Sequence, residues 1–385
     1  MKKVAVVGVG QTRYRTRRDD VTHPELTYEA ATAALESCGL SIEDIDAVVY
    51  GTMDPFDGIN CPDKWCAGGA GAFGKPYMKI STGGTTGLTL GIAAYQHVAS
   101  GMFDLVLAIG TQRVGSGINA QMILNTCACP VYERDAGAGA ITIGAMQAAR
   151  HMARFGSTNE QRALISVSDH RNAMNNPYAH IKMPVTVDDV LSSQIVEWPL
   201  RLLECCPRSD GACAIVMASE DVADDICERP AWIMGVTSIS DSYFWGDRPD
   251  LGYWDSLAIA GRELYRQSGI TEPLSEIDVV ELYAPFTSQI LLELEALGFC
   301  APGEAGDMVQ SGATSMGGAL PINPSGGVLC SNPIGITGLV RLGEASLQVM
   351  GTAGARQVEG AEVALAHAWG GTAQFHALML VGSVT

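Results

Sequence analysis

Hydrophobic and polar positions along this chain switch repeatedly between a period of two and a helical period. The β-branched run from Lys3 to Val9 predicts a buried strand, and Glu25 to Cys38 carries alanine and leucine at helical spacing. Strands are predicted from Ile45 to Tyr50 and from Tyr77 to Ser81, the latter running into the turn TGGTTG. A helix from about Leu88 to Ser100 and a strand from Asp104 to Ile109 follow. The same order returns later. Strands are predicted from Trp232 to Ser240, Ile277 to Tyr283, Val363 to Ala368 and Phe375 to Val381. Helices are predicted from Asp255 to Gln267, Thr287 to Leu297 and, after the turn SNPIGITG, Leu339 to Met350. Alternation of this kind predicts an α/β fold with a mostly parallel sheet. IDAVVYGTMDPF from Ile45 and IDVVELYAPF from Ile277 each read as a strand ending in Pro-Phe. A repeat at that separation is a duplicated domain rather than a solenoid. The halves are read as 1–229 and 230–385, with about 115–200 as a cap inserted in the first.

Composition narrows the function classes. With 47% hydrophobic and 17% charged residues in 385, the chain buries a large core and is not disordered. A net charge of −18 argues against a nucleic-acid partner. Anionic substrates then need local basic groups, and the Arg13, Arg15, Arg17, Arg18 cluster reads first as a solvated turn. No apolar run has the length of a membrane span. MKKVAVVGVGQT lacks a full signal-peptide core and reads as a first strand, so a cytoplasmic protein is expected. The 11 cysteines are scattered and odd in number, which fits free thiols. Cys61/Cys66, Cys127/Cys129 and Cys205/Cys206 form no pair of CxxC motifs, and no metal is expected.

In open α/β sheets, ligands bind beyond the carboxyl ends of strands. Such ends carry Ser81 with TGGTTG, Tyr283 with APF, Asn332 within SNPIGITG and His367 with AWGG. Each alone is a weak signal, since glycine serves turns and a buried tyrosine or histidine serves a core. Together they predict one cleft, with Gly83, Gly84, Gly370 and Gly371 offering backbone N–H groups near helix N-termini.

These motifs carry a family resemblance. VAVVGVGQT, NNPYAH at 175–180, RSDGACAIVMASED at 208–221, ELYAPF at 281–286, LGFCAPGEAGDMVQSGAT at 297–314, GGALPINPSGGVLCSNPIGITG at 317–338 and HAWGG at 367–371 resemble the thiolase superfamily, in its sterol-carrier and lipid-transfer branch. The resemblance implies a five-layer αβαβα fold, dimerisation through the sheets and acyl-CoA substrates, with coenzyme A as substrate or product and no covalent cofactor. It also implies a small partner subunit with a zinc ribbon and an OB fold. The chain departs from the family at its catalytic positions. By the resemblance, Ser81 stands for the nucleophilic cysteine, Asn332 for the histidine of the later turn, Tyr283 for the polar residue of the strand-end motif, and Ala368, beside His367, for the second cysteine. Tyrosine at 283 is similar to the steroid side-chain aldolases of the superfamily. Those aldolases depart in the later turn, whereas this chain keeps NPxGxTG nearly intact, and the large subunit of benzoylsuccinyl-CoA thiolase is another similar case.

A serine hydroxyl needs an adjacent base to act as a nucleophile, whereas oxyanion stabilisation by Asn332 and the glycine turns survives the substitutions. The sequence leans to thiolysis of a bulky β-oxoacyl-CoA without a cysteine nucleophile. A retro-aldolase on a β-hydroxyacyl-CoA is the alternative, and a non-catalytic acyl-CoA-binding scaffold the third reading.

Overall fold

A computed structural model describes residues 1–58, 61–115, 119–137 and 139–384. Its strands are β1 (Val4–Gln11), β2 (Ala47–Gly51), β3 (Tyr77–Ile80), β4 (Leu105–Gln112), β5 (Gly211–Ser219), β6 (Ala231–Ser240), β7 (Val279–Glu281), β8 (Val363–Gly370) and β9 (Phe375–Gly382). They join in one nine-stranded sheet in the order β3-β2-β4-β5-β1-β6-β9-β8-β7. The main helices are α1 (His23–Ser37), α2 (Thr86–Ala99), α3 (Ala140–Phe155), α4 (Asn159–Ala173), α5 (Asp255–Ser268), α6 (Thr287–Ala296) and α7 (Thr337–Met350).

The repeated Ile-Asp opening of β2 and β7 has a structural counterpart. The Asp46 carboxylate accepts from the amides of Asp104 and Leu105, both at 2.9 Å, and so fixes the start of β4 beside β2. The Asp278 carboxylate accepts from Glu362 and Val363 at 2.8 and 2.9 Å and fixes β8 beside β7. Each aspartate satisfies two strand-opening donors that the sheet leaves unpaired.

The layers follow from which faces are apolar. Leu26, Ala30 and Ala34 of α1 pack on Val7, Val48 and Ile109 from one side of the first half-sheet. On the other side α2 and α7 lie together between the half-sheets, and α5 and α6 close the second half from outside, giving the αβαβα order. The sheet is mixed rather than mostly parallel. β2 is parallel to β3 and β4, and β7 to β8, but β5 returns antiparallel to β4 and β1, and β8–β9 form a hairpin. The chain leaves the sheet after β4 and re-enters at β5. Between them lie α3, α4 and a small hairpin of Ile195–Glu197 with Leu200–Arg201. No helix among the described residues is long and apolar enough to cross a membrane.

The two central helices touch through main chain. A Cβ on Gly87 of α2 would fall on the Leu339 amide and 2.6 Å from the Ile336 carbonyl oxygen. One on Gly338 of α7 would fall 2.7 Å from the Leu88 nitrogen. Real side-chain carbons do not approach backbone so closely, so only glycine permits this crossing.

Gly87→Ala and Gly338→Ala should each destabilise the protein by ~1–3 kcal/mol through overpacking against backbone that cannot yield. Gly68→Ala, in the helix Asp63–Gly69 with open space at its Cα, should be neutral or stabilising. Urea unfolding of the three variants checks the contrast. Equal midpoints for all three would remove the crossing as a constraint.

Candidate functional site

Where the N-terminal ends of α2 and α7 meet the ends of β7 and β8, a cavity of about 650 Å³ opens. Its floor is main chain. Gly83 and Gly84 meet Gly370 and Gly371 there, and a Cβ on Gly84 would stand 2.6 Å from the Trp369 carbonyl oxygen. The adjoining turn holds Gly371, Thr372 and Ala373 at φ of 58°, 58° and 62°. Two contacts distant in sequence hold Thr372 in that left-handed region. The Trp245 indole N–H donates to Thr372 Oγ1 at 2.7 Å, and Arg248 donates to the Thr372 carbonyl at 2.8 Å.

Tyr283 lines one wall, two residues beyond β7. The strand is halted by Asn323, whose side-chain oxygen accepts from the Leu282 amide at 2.8 Å. The Tyr283 ring meets the Trp369 ring edge-on at 5.5 Å and 84°, which fixes its plane. Burial, with the thiols of Cys206 and Cys127 nearby, pushes its phenol well above the ordinary range, so the group is protonated at neutral pH. Among the described residues no partner engages its hydroxyl.

Asn332 is held at each of its polar atoms. Its amide donates to Ser209 Oγ and its carbonyl accepts from the Ser209 amide, both at 3.1 Å. Its Oδ1 accepts from Thr337 Oγ1 at 2.9 Å, and its Nδ2 donates to Cys206 Sγ at 3.1 Å. A primary amide carries two N–H donors, so one remains for a ligand in the cavity. Cys206 is placed by its own amide, which donates to the Pro285 carbonyl at 2.9 Å. Burial pushes its thiol up to about 11, which makes it a neutral thiol rather than a thiolate.

The cavity brings together Tyr283, Asn332, Gly83, Gly84, Gly370 and Gly371, but neither Ser81 nor His367. Ser81 is exposed at the end of the edge strand β3. The chain turns inward only after it, where the Thr82 amide donates to Thr86 Oγ1 at 2.8 Å. His367 shares the face of β8 that carries Trp369, one pleat deeper, and of the two only Trp369 lines the cavity. Its Nε2 lies 3.3 Å from His376 Nδ1 and its Nδ1 lies 3.5 Å from Glu293 Oε1, all three fully buried. Burial pushes both imidazoles down, that of His376 to about 3 with help from Arg248. It holds the Glu293 carboxyl well above the usual range. This layer is neutral and supports the site from behind.

Sequence reasoning missed Cys206 and Trp369 as lining residues. Cys206 was weighed only as a metal ligand, and its contact with Asn332 spans 126 residues. No three His, Cys, Asp or Glu side chains among the described residues converge as metal ligands.

Comparison with known proteins gives two family matches, to the "Thiolase, N-terminal domain" over residues 4–221 and the "Thiolase C-terminal domain-like" family over 238–383. The chain is 35% identical to an acetyl-CoA acetyltransferase of Methanothermobacter thermautotrophicus, covering 97% of each. It is 33% identical to a 17-hydroxy-3-oxo-4-pregnene-20-carboxyl-CoA lyase of Mycobacterium tuberculosis, over 91% of this chain and 92% of that one. Among solved structures, one titled "Ltp2-ChsH2(DUF35) aldolase" superposes with a TM-score of 0.86 at 29% identity, covering 100% of this chain and 98% of that one.

The buried histidines make stability depend on pH in a defined direction. An unfolded histidine titrates at about 6.5, whereas His376 in the fold resists protonation down to about 3. Between those values the unfolded chain binds the extra proton, so this contribution is full above the unfolded value and is lost as pH falls. His376→Gln should therefore flatten the loss of stability between about pH 6.5 and pH 4 by up to ~1.4 kcal/mol per pH unit. Denaturant unfolding across that window measures it, and an unchanged slope would mean that His376 titrates normally in the fold.

Proposed function

The chain belongs to the thiolase superfamily, and on that premise we propose that it is a lyase that cleaves, or in reverse forms, a carbon–carbon bond of a bulky β-hydroxyacyl-CoA by a retro-aldol step. One observation carries this reading over covalent thiolysis. Among the described residues, the cavity that holds Tyr283 and Asn332 contains no activated nucleophile, because Ser81 stands outside it and burial pushes the thiols of all three lining cysteines, Cys127, Cys205 and Cys206, up from their ordinary range.

A retro-aldol step needs no nucleophile. The thioester oxygen takes the free N–H of Asn332, and one such donor is worth ~3 kcal/mol in the transition state. Tyr283 receives the proton of the β-hydroxyl as it delivers its own to the α-carbon. The O–H electrons become the carbonyl π bond, the Cα–Cβ bond breaks, and its electrons pass through the thioester enolate to the new C–H bond. The phenol ends as it began, so the reaction does not require a phenolate that burial disfavours. The apolar lining, with Leu124, Ile141, Phe286 and Ile334, suits a bulky acyl group.

The relatives named as a lyase and an aldolase support this reading. The relative named as an acetyltransferase supports the other, thiolysis with coenzyme A attacking the β-oxo group directly. In either reaction coenzyme A leaves on a product or enters as a substrate. The two-component title of the aldolase structure supports a partner subunit for this chain as well, and the small zinc-ribbon and OB-fold subunit, together with a homodimer, completes the proposal.

Tyr283→Phe retains the ring against Trp369 and should lower kcat by ~10²–10⁴ with folding intact. Cys206→Ala should retain most of the turnover. The assay offers one β-hydroxyacyl-CoA and one β-oxoacyl-CoA, each with and without free coenzyme A. Cleavage of the hydroxy substrate without coenzyme A is the expected result. Cleavage only of the oxo substrate and only with coenzyme A would replace the lyase by a thiolase. Binding without turnover, with the partner subunit present, would leave a scaffold.

A further inference from the structure

Of the described residues that line the cavity, Arg208 is the single ionised side chain, in a protein of net charge −18. It is exposed to the opening, and among the described residues no carboxylate or carbonyl engages its guanidinium. Other arginines around the site are committed. Arg134 donates to the carbonyls of Thr126 and Ala128, and Arg248 to those of Thr372 and Ser242.

The backbone that carries Arg208 is pinned on both sides. The Cys206 amide donates to the Pro285 carbonyl at 2.9 Å, and the Ser209 amide to the Asn332 carbonyl at 3.1 Å. The next residue, Asp210, is fully buried and does not turn towards Arg208. Its carboxylate accepts from the amides of Arg18, Val114 and Gly115 at 3.0, 2.6 and 3.1 Å. The sequence Cys206-Pro207-Arg208 therefore mounts an uncompensated cation two residues from the thiol that touches Asn332.

We propose that Arg208 is the anion-recognition residue of the cavity, pairing with a fixed negative group of the substrate. The proposal rests on the acyl-CoA reading above and adds a substrate feature to it. A guanidinium on a rigid segment loses little freedom on pairing, and its planar fork takes a carboxylate or a phosphate in two parallel hydrogen bonds. That anion is either a carboxylate on the acyl group or a phosphate of the coenzyme A tail.

Binding of unreactive thioesters, measured by calorimetry on the whole protein, tests the pairing apart from the reaction. The probes are butyryl-CoA, glutaryl-CoA and the two corresponding pantetheine thioesters, with wild type, Arg208→Met and Arg208→Lys. Arg208→Met should weaken the probe that carries the recognised anion by roughly ten- to a hundredfold, as for a charge-assisted pair. Arg208→Lys should recover part of this, because it keeps the charge and loses the fork. Weakening confined to the glutaryl probes places the anion on the acyl group. Weakening of both coenzyme A thioesters, with butyryl-pantetheine unchanged, places it on the phosphates. Wild-type affinity of Arg208→Met for all four probes, or an equal loss that includes butyryl-pantetheine, overturns the proposal and leaves the acyl-CoA reading standing. Failure of the wild type to bind any coenzyme A thioester overturns both.

Discussion

The architecture depends on a contact without side chains. Gly87 and Gly338 let the first turns of the two central helices meet backbone to backbone. That approach sets the separation of the two halves of the sheet that flank the helices, because both halves pack on the same pair. It also directs two helix N-termini to one place, next to the carboxyl ends of β7 and β8. A second glycine crossing, Gly84 against Gly370, closes the floor of the space so formed. A methyl group at any of these four positions would push apart elements that neither half-sheet can move alone.

Around that floor the chemistry is kept neutral by burial. Tyr283 stays a phenol, Cys206 stays a thiol, and the His367–His376–Glu293 layer behind Trp369 carries no charge near neutral pH. Burial penalises the charged form of acids and bases alike, so one cause acts on all of them. A site of this kind moves protons between neutral groups and stabilises charge with oriented amide donors. Arg208, exposed at the opening, stands outside this neutral zone.

Much of this was legible along the chain. The glycine turns, Tyr283 and Asn332 fall at predicted strand ends, and the structure places them around one cavity. The repeated Ile-Asp openings pointed to two related halves, and the paired roles of Asp46 and Asp278 give that repeat a physical use. What failed to show in the pattern had local causes. Strand β5 is GACAIVMAS, whose small residues lack the β-branched signature, and without it the antiparallel pairs on either side were invisible. Ser81 and His367 lie within a turn or a pleat of true lining residues. Spacing alone does not say which of two neighbours faces a cavity and which stops a step short.

The cavity has unequal walls, and this bears on how such a protein can diversify. Its floor is peptide backbone, and the wall that carries Asn332 is clamped by hydrogen bonds that cross from Asn332 to Ser209, Thr337 and Cys206. Its roof is different. Gln121, Leu124, Ala140 and Ile141 line the cavity from the segment between β4 and β5, outside every strand of the nine-stranded sheet. Side chains on the roof can change while the floor remains fixed, so descendants of one ancestor can come to hold ligands of different outline above an unchanged floor.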